Sequence, residues 1–323
     1  MILKNKKLYK VALLFFLIIN GGPLVINATN LDDEGLFHRN YIYNRDTESL
    51  NFFILNGFDF KTTHVLFDKD INLKMYSTYG ILVNLTTNEV IFERQADKRA
   101  YPASLTKMMT VLVGLENIKE DTMRIDVDFN ELAAEGAAIA GFRNGEIVSA
   151  KDILMAVMLP SGADAAITLA KEVVGSEAEF VNLMNQKAEA LGMKDTHFEN
   201  VTGLHHDNHY TTARDMAILV KVALNNPEFR EIFMAKSYIT ETVDDLIFTS
   251  RMFDRMSSPV ILGGEVLGGK TGYTWEALLC LASFATDGEN EYALITMHAN
   301  GGPNTAQYHV IDALETYEYF FNR

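Results

Sequence analysis

Apolar residues are grouped along this chain in three distinct ways. The first is an unbroken run of nine, Val11 to Ile19 (VALLFFLII), behind Lys4, Lys6, Lys7 and Lys10. Asn20-Gly21-Gly22-Pro23 follows and stops a helix, and Ile26-Asn27-Ala28 ends on a small residue suited to cleavage. This predicts a secretory signal peptide over 1–28; the competing reading is an uncleaved N-terminal anchor. Nine apolar residues fall short of the ~20 that span a bilayer, which favours cleavage. Residues 29–72 are polar and irregular, with scattered aromatics (Phe52, Phe53, Phe58, Phe60, Phe67) and no motif. They read as an N-terminal extension of unknown role.

From residue 73 to the end the pattern is that of a folded domain. Tyr79 to Leu85 and Glu89 to Glu93 flank Thr86-Thr87-Asn88, which predicts a β-hairpin. Ala277 to Ala285 and Tyr292 to His298, separated by Asp287-Gly288-Glu289-Asn290, predict another. Between the two pairs the apolar period is helical. Ser176 and Glu179 form a capping box; Phe180, Leu183, Met184, Ala188 and Leu191 follow helical spacing, and Gly192 ends the run. Thr305 to Phe321 predicts a last helix. Strands, a helical middle, strands and a helix imply an α+β domain. Its antiparallel sheet is built from both chain ends and flanked by helices, with an inserted helical lobe.

Composition narrows the chemistry. Lys and Arg number 28 against 43 Asp and Glu, a formal charge of −15; without the four early lysines, 24 against 43 leaves −19. Nucleic-acid binding, which needs many cations facing phosphates, is thereby disfavoured. One cysteine, Cys280, excludes an internal disulfide and a cysteine-based zinc site.

Three short stretches carry candidate chemistry. In Tyr101-Pro102-Ala103-Ser104-Leu105-Thr106-Lys107, Pro102 and Ala103 mark a helix start, and Ser104 and Lys107 lie one turn apart on one side. A serine hydroxyl needs a base within reach, and a lysine serves only when neutral, which burial and nearby positive charge favour. In Pro160-Ser161-Gly162-Ala163-Asp164, Ser161 falls on a loop between two helices. In Lys270-Thr271-Gly272-Tyr273-Thr274, Lys270 and Thr271 suit an anionic group, and Gly272 leaves room for a ligand backbone along the strand edge.

The order and spacing of these stretches at 104, 161 and 270 resemble the active-site serine penicillin-recognising enzymes, with S-x-x-K, S-x-N and K-T-G motifs. The low-molecular-mass D-alanyl-D-alanine carboxypeptidases are the nearer likeness. Asn84 to Thr110, Thr202-Gly203-Leu204 with His209 to Ala217, and Lys270-Thr271-Gly272-Tyr273-Thr274 all resemble stretches of that family. The resemblance implies a β-lactamase/DD-peptidase-like fold over 73–323 and a serine carboxypeptidase acting on peptidoglycan stem peptides that end in D-Ala-D-Ala. It implies Ser104 as nucleophile, Lys107 as base, and Ser161 as proton carrier to the leaving amine. The N–H groups of Ser104 and Tyr273 would form the oxyanion hole; Lys270, Thr271 and Gly272 would bind substrate. No metal or cofactor is implied, and β-lactams would acylate Ser104. Location would be outside the bacterial membrane or in the wall, with membrane association through the N-terminal segment only. Oligomeric state is unspecified.

One position departs from the family pattern: Ala163 stands where the second motif ends in Asn. Losing that amide costs about 1–3 kcal/mol of buried polar interaction. The alternatives are a penicillin- or peptidoglycan-binding homologue with little or no turnover, and a β-lactamase-like hydrolase. A zinc peptidase, prompted by His205, His206, Asp207 and His209, is a further rival.

Overall fold

The computed structural model describes residues 11–14, 24–32, 35–44, 49–53, 60–62, 65–67 and 73–323. The chain divides into two units: Met1–Asp59 with Glu189–Gly192, and Phe60–Ala188 with Met193–Arg323. The first holds strands β1 (Val11–Leu14), β2 (Leu24–Asp32), β3 (Gly35–Asn44) and β4 (Ser49–Phe53), antiparallel and paired in that order. Strands β3 and β4 and the end of β2 occupy a stretch, 29–72, whose polarity predicts no element. Pairing satisfies backbone N–H and C=O groups whether or not side chains alternate. Of the proposed export signal, residues 1–10 and 15–23 lie outside the described residues.

The second unit is built on a seven-stranded sheet. Its strands are β5 (Leu66–Phe67), β6 (Ser77–Asn84), β7 (Glu89–Arg94), β12 (Val260–Ile261), β13 (Gly264–Thr274), β14 (Leu278–Thr286) and β15 (Glu291–Ala299). They run in the order β12-β13-β14-β15-β6-β7-β5. Pairing of β15 with β6, Tyr292 opposite Asn84 through Ala299 opposite Ser77, joins strands from the two ends of the unit. All pairs are antiparallel except β5 with β7, which is parallel. Both predicted hairpins are present, and Asn88 takes the left-handed conformation (φ +60°) that the first turn requires.

Between the two halves of the sheet come α1 (Thr106–Asn117), β8 (Thr122–Arg124), α2 (Phe129–Ala134), β9 (Ile147–Ser149), α3 (Ala150–Met158) and α4 (Ala163–Val174). Then follow α5 (Glu177–Leu191), α6 (Ala213–Ala223), α7 (Pro227–Met234), β10 (Ser237–Ile239) and β11 (Ile247–Thr249). The caps are local chemistry: Ser149 accepts from Asp152 N–H, Ser176 from Glu179 N–H, and Thr212 from Asp215 N–H. The last helix, α8 (Tyr308–Phe321), starts three residues later than the pattern predicts, because Thr305 is held in a turn on Gly302. Its Val310, Ala313 and Tyr317 pack on Leu281, Ala285 and Leu294 of the sheet. That packing fixes β14, and through it the neighbouring β13. Strand β12 pairs only with Gly264 and Glu265 of β13, and Gly272 farther along β13 lies against Pro102 and Ser104 of the nucleophile turn. Among the described residues no helix is long and apolar enough to cross a membrane.

Candidate active site

Ser104 is displayed by a bend rather than by the α-helix that the pattern predicts. Ala103 has φ +48°, Ala103–Leu105 form a 3-10 turn, and α1 begins only at Thr106. A left-handed alanine is unfavourable in isolation, and the surrounding packing has to impose it. Ser104 stays half-exposed while Lys107, in the first turn of α1, is 2% exposed. The lysine Nζ donates to Ser104 Oγ at 3.3 Å and to Thr202 O at 2.6 Å. Burial, aided by the positive charge of Arg251, pushes the Lys107 ammonium down to about 7; the Asp164 carboxylate pulls weakly the other way.

The carbonyl that anchors the lysine is itself positioned. Asn200 Oδ1 accepts from Thr202 N (3.1 Å), Gly203 N (2.7 Å) and Thr202 Oγ1 (3.0 Å), and Asn200 Nδ2 donates to Leu204 O at 3.0 Å. Gly203 has φ +80°, and a Cβ there would lie 1.9 Å from Ala103 O. The loop therefore fits against the nucleophile turn only as glycine.

Ser161 occupies the loop between α3 and α4, also in a left-handed conformation (φ +68°). It is 2% exposed and its Oγ has no hydrogen-bond partner among the described residues. Asp164 accepts from Ala140 N (2.8 Å) and Gly141 N (3.3 Å), and Ala163 N donates to Ala138 O (2.7 Å). These bonds hold the 138–141 segment beside Ser161. Burial raises the Asp164 carboxyl above its ordinary value. The Ala163 side chain, 1% exposed, packs with Val127 and Leu132. Among the described residues no side-chain amide lines the cavity with Ser161, and the lysine is held by the Thr202 carbonyl.

Strand β13 approaches from the other side. A Cβ on Gly272 would lie 3.0 Å from Pro102 O and 3.1 Å from Ser104 N, so this glycine admits the nucleophile turn as well as any ligand. A cavity of about 170 Å³ lies between these pieces, lined by Ser104, Lys107, Ser161, Ala163, Thr271, Gly272 and Tyr273 among others. Seven of the eight residues picked out from the sequence (the eighth being Lys270) or from its departure thus share one cavity. Lys270 does not line it: it is 1% exposed, with Nζ donating to Thr271 O at 3.1 Å. Burial, then the charges of Lys107, Arg251 and Arg255, hold its ammonium well below the ordinary lysine range.

Sequence reasoning missed three contributors: Thr202, Arg251 and Arg255, all on the cavity wall. Thr202 lies in a stretch read as family-like but given no task, and two arginines four apart upstream of Lys270 carry no motif. The histidines prompting the zinc reading diverge. His209 is 2% exposed with Nε2 at 2.8 Å from Thr106 Oγ1, and burial pushes it down to about 3. His205 and His206 face Asp207 and Glu199 separately, at 3.5 and 3.8 Å.

Residues 65–301 match the family model described as D-alanyl-D-alanine carboxypeptidase. The D-alanyl-D-alanine carboxypeptidase DacF of Bacillus subtilis is 34% identical over 216 residues, 65% of this chain and 54% of its own. DacA of Escherichia coli K12, another D-alanyl-D-alanine carboxypeptidase, is 32% identical over 219 residues, 65% of this chain and 53% of its own. The chain thus spans about half the length of these curated relatives. The crystal structure of the Streptomyces K15 DD-transpeptidase superposes with a TM-score of 0.68 at 26% identity, over 78% of this chain and all of that one. A D-alanyl-D-alanine carboxypeptidase from Mycobacterium tuberculosis gives 0.66 at 25%, over 78% and 93%.

Proposed function

From the premise that this chain belongs to the D-alanyl-D-alanine carboxypeptidase family, we propose that it removes the terminal D-alanine from peptidoglycan stem peptides through an acyl-enzyme on Ser104. The observation that carries this reading is the contact of a buried lysine with a half-exposed serine, Lys107 Nζ at 3.3 Å from Ser104 Oγ. With its ammonium pushed down to about 7, Lys107 is in good part neutral at neutral pH and can take the hydroxyl proton.

Ser104 Oγ attacks the carbonyl of the penultimate D-Ala as its proton passes to Lys107 Nζ. Charge developing on the carbonyl oxygen is stabilised by the N–H groups of Ser104 and Tyr273, a device worth roughly 3 kcal/mol per donor. The close approach of Gly272 to Ser104 N supports that pairing. The intermediate collapses by breaking the C–N bond, and the leaving amine takes a proton through Ser161, whose otherwise unpartnered hydroxyl faces the same cavity. Water then cleaves the ester. Thr271 of β13 hydrogen-bonds the terminal carboxylate, and Lys270, whose Nζ donates to Thr271 O, supports that end of the site. The catalytic domain is 73–323, behind an export signal at 1–28 and an extension at 29–72. The protein acts in the cell envelope, and β-lactams, which present the same carbonyl and carboxylate, acylate Ser104.

Ala163 supports a second reading, a penicillin-binding homologue of little turnover, because among the described residues no side-chain amide lines the cavity with Ser161. Intact-mass measurement after penicillin treatment, with D-alanine release from a pentapeptide assayed in parallel, decides between them. An adduct at Ser104 with D-alanine release, both lost in Ser104→Ala, is the expected result. An adduct without release establishes the binding homologue, and release that survives Ser104→Ala overturns the serine mechanism.

A further inference from the structure

We propose that Trp275 and Glu276, at the tip of the β13–β14 hairpin, form a subsite for a cationic side chain on the substrate residue that precedes D-Ala-D-Ala; this rests on the carboxypeptidase reading above. Trp275 is the single tryptophan of the chain. It is 82% exposed, the most of any large apolar side chain among the described residues. Its ring stands edge-on to that of Tyr273, with centroids 5.8 Å apart, and Tyr273 lines the cavity that holds Ser104. This exposed indole therefore borders the reaction site instead of a remote surface.

Strand geometry says which part of a substrate reaches it. The proposed reaction sets the terminal carboxylate at Thr271 and the scissile carbonyl at the Tyr273 N–H, two residues farther along β13. A peptide laid beside a strand advances about 3.3 Å per residue, as the strand itself does. Thr271, Gly272, Tyr273 and Thr274 all line the cavity, so it follows the strand to the foot of the hairpin tip. The next substrate residue towards the N-terminus then falls beside Trp275.

The tip is held in one shape. Ala277 is 1% exposed and its N–H donates to Thr274 Oγ1 at 3.0 Å, while Leu278, where β14 begins, is left-handed (φ +55°). Such a conformation persists only where the surroundings impose it, which fixes the backbone that carries Trp275. The chemistry of the tip selects a cation. Tryptophan offers the best aromatic face for one. Among the described residues no lysine or arginine stacks on Trp275, although Tyr76, Tyr210 and Tyr238 each carry one. Glu276 adds a carboxylate whose Oε2 lies 3.8 Å from His205 Nδ1, and Asp207 Oδ1 lies 3.5 Å from Nε2 of the same ring. An amine on an aliphatic stem satisfies both groups: the stem packs on the indole and the ammonium lies between ring and carboxylate.

The test compares two N-terminally blocked peptides, Lys-D-Ala-D-Ala with its side-chain amine free and the same peptide acetylated on that amine. Because the chain has one tryptophan, indole emission reports the contact directly. Titrated into the Ser104→Ala protein, the free amine should change that emission and bind about three- to tenfold more tightly than the acetylated form. In the Ser104 protein the same preference should appear in kcat/KM for D-alanine release. Read by calorimetry, Trp275→Leu should bring the binding ratio close to one, Trp275→Phe should keep part of it, and Glu276→Gln should lower it. Equal binding of the two peptides, no detectable binding of either, unchanged emission, or a preference that survives Trp275→Leu would each overturn the assignment. D-alanine release without the preference would leave the carboxypeptidase reading standing and remove the subsite. The preference in binding, by a protein that releases no D-alanine, would refute that reading and leave the subsite standing.

Discussion

Acylation of Ser104 should titrate with the lysine beside it. Lys107 is 2% exposed, and its Nζ reaches two oxygens, Ser104 Oγ at 3.3 Å and Thr202 O at 2.6 Å. The ammonium is brought from 10.5 to about 7. At 1.36 kcal/mol per pK unit, that shift is a penalty of about 5 kcal/mol against the charged form. An ordinary lysine is neutral in about 0.04% of molecules at pH 7; one titrating near 7 is about half neutral, roughly a thousandfold more base. The second-order rate of penicillin acylation, followed by intact mass, should therefore fall about fiftyfold between pH 7 and pH 5 and level off above pH 8. The same shift has a stability counterpart. The folded state disfavours the proton, so the penalty is absent above 10.5, grows as pH falls towards 7, and is constant below it. Lys107→Met should accordingly abolish acylation and raise the unfolding free energy at pH 6, by less than about 5 kcal/mol because two hydrogen bonds go with the amine. An acylation profile flat from pH 5 to 9, or one whose midpoint lies above 9, would refute a neutral-lysine base.

Further outcomes follow from the same geometry. Gly203→Ala places a Cβ where Ala103 O stands 1.9 Å away at φ +80°. It should slow acylation at least a hundredfold, with unchanged acylation counting against the fit of loop to nucleophile turn. Ala163→Asn should supply a partner for Ser161 Oγ and raise D-alanine release several-fold; lower release at unchanged folding would show that the Thr202 carbonyl has already replaced the amide. His309 is fully buried, neither ring nitrogen has a partner among the described residues, and burial pushes it down from 6.5 to about 3. Its folded pKa is depressed, so its contribution to stability is complete above 6.5 and is lost as pH falls towards 3, by up to about 1.4 kcal/mol per pH unit. His309→Leu should flatten the decline of the thermal midpoint between pH 6.5 and 4, and an unaltered slope would refute this role.

Much of the sheet and helix pattern could be read locally, and the reason is periodicity. Hairpin strands β6–β7 and β14–β15 alternate or stay apolar around turn residues, and the Ser176 cap is a contact three residues long. Strands β2, β3 and β4 were not legible, because a polar segment can still satisfy its backbone by pairing. The departure at Ala163 was visible in the motif, but the Thr202 carbonyl that holds the lysine in its absence was not. A backbone atom carries no signature in a sequence.

The amino-acid order by itself determined the α+β layout, the likeness to a serine peptidase family, and the residue types at 104, 107, 161 and 270. Those follow from local spacing and from chemistry that only a few side chains possess. Tertiary structure alone decided that Ala103 and Ser161 are held left-handed, that Lys270 is buried away from the cavity lining, and that Arg251 and Arg255 stand on the cavity wall. Strain and burial are set by atoms that arrive from distant parts of the chain. No stretch of sequence holds them until the sheet, the lobe and the connecting loops have closed on one another.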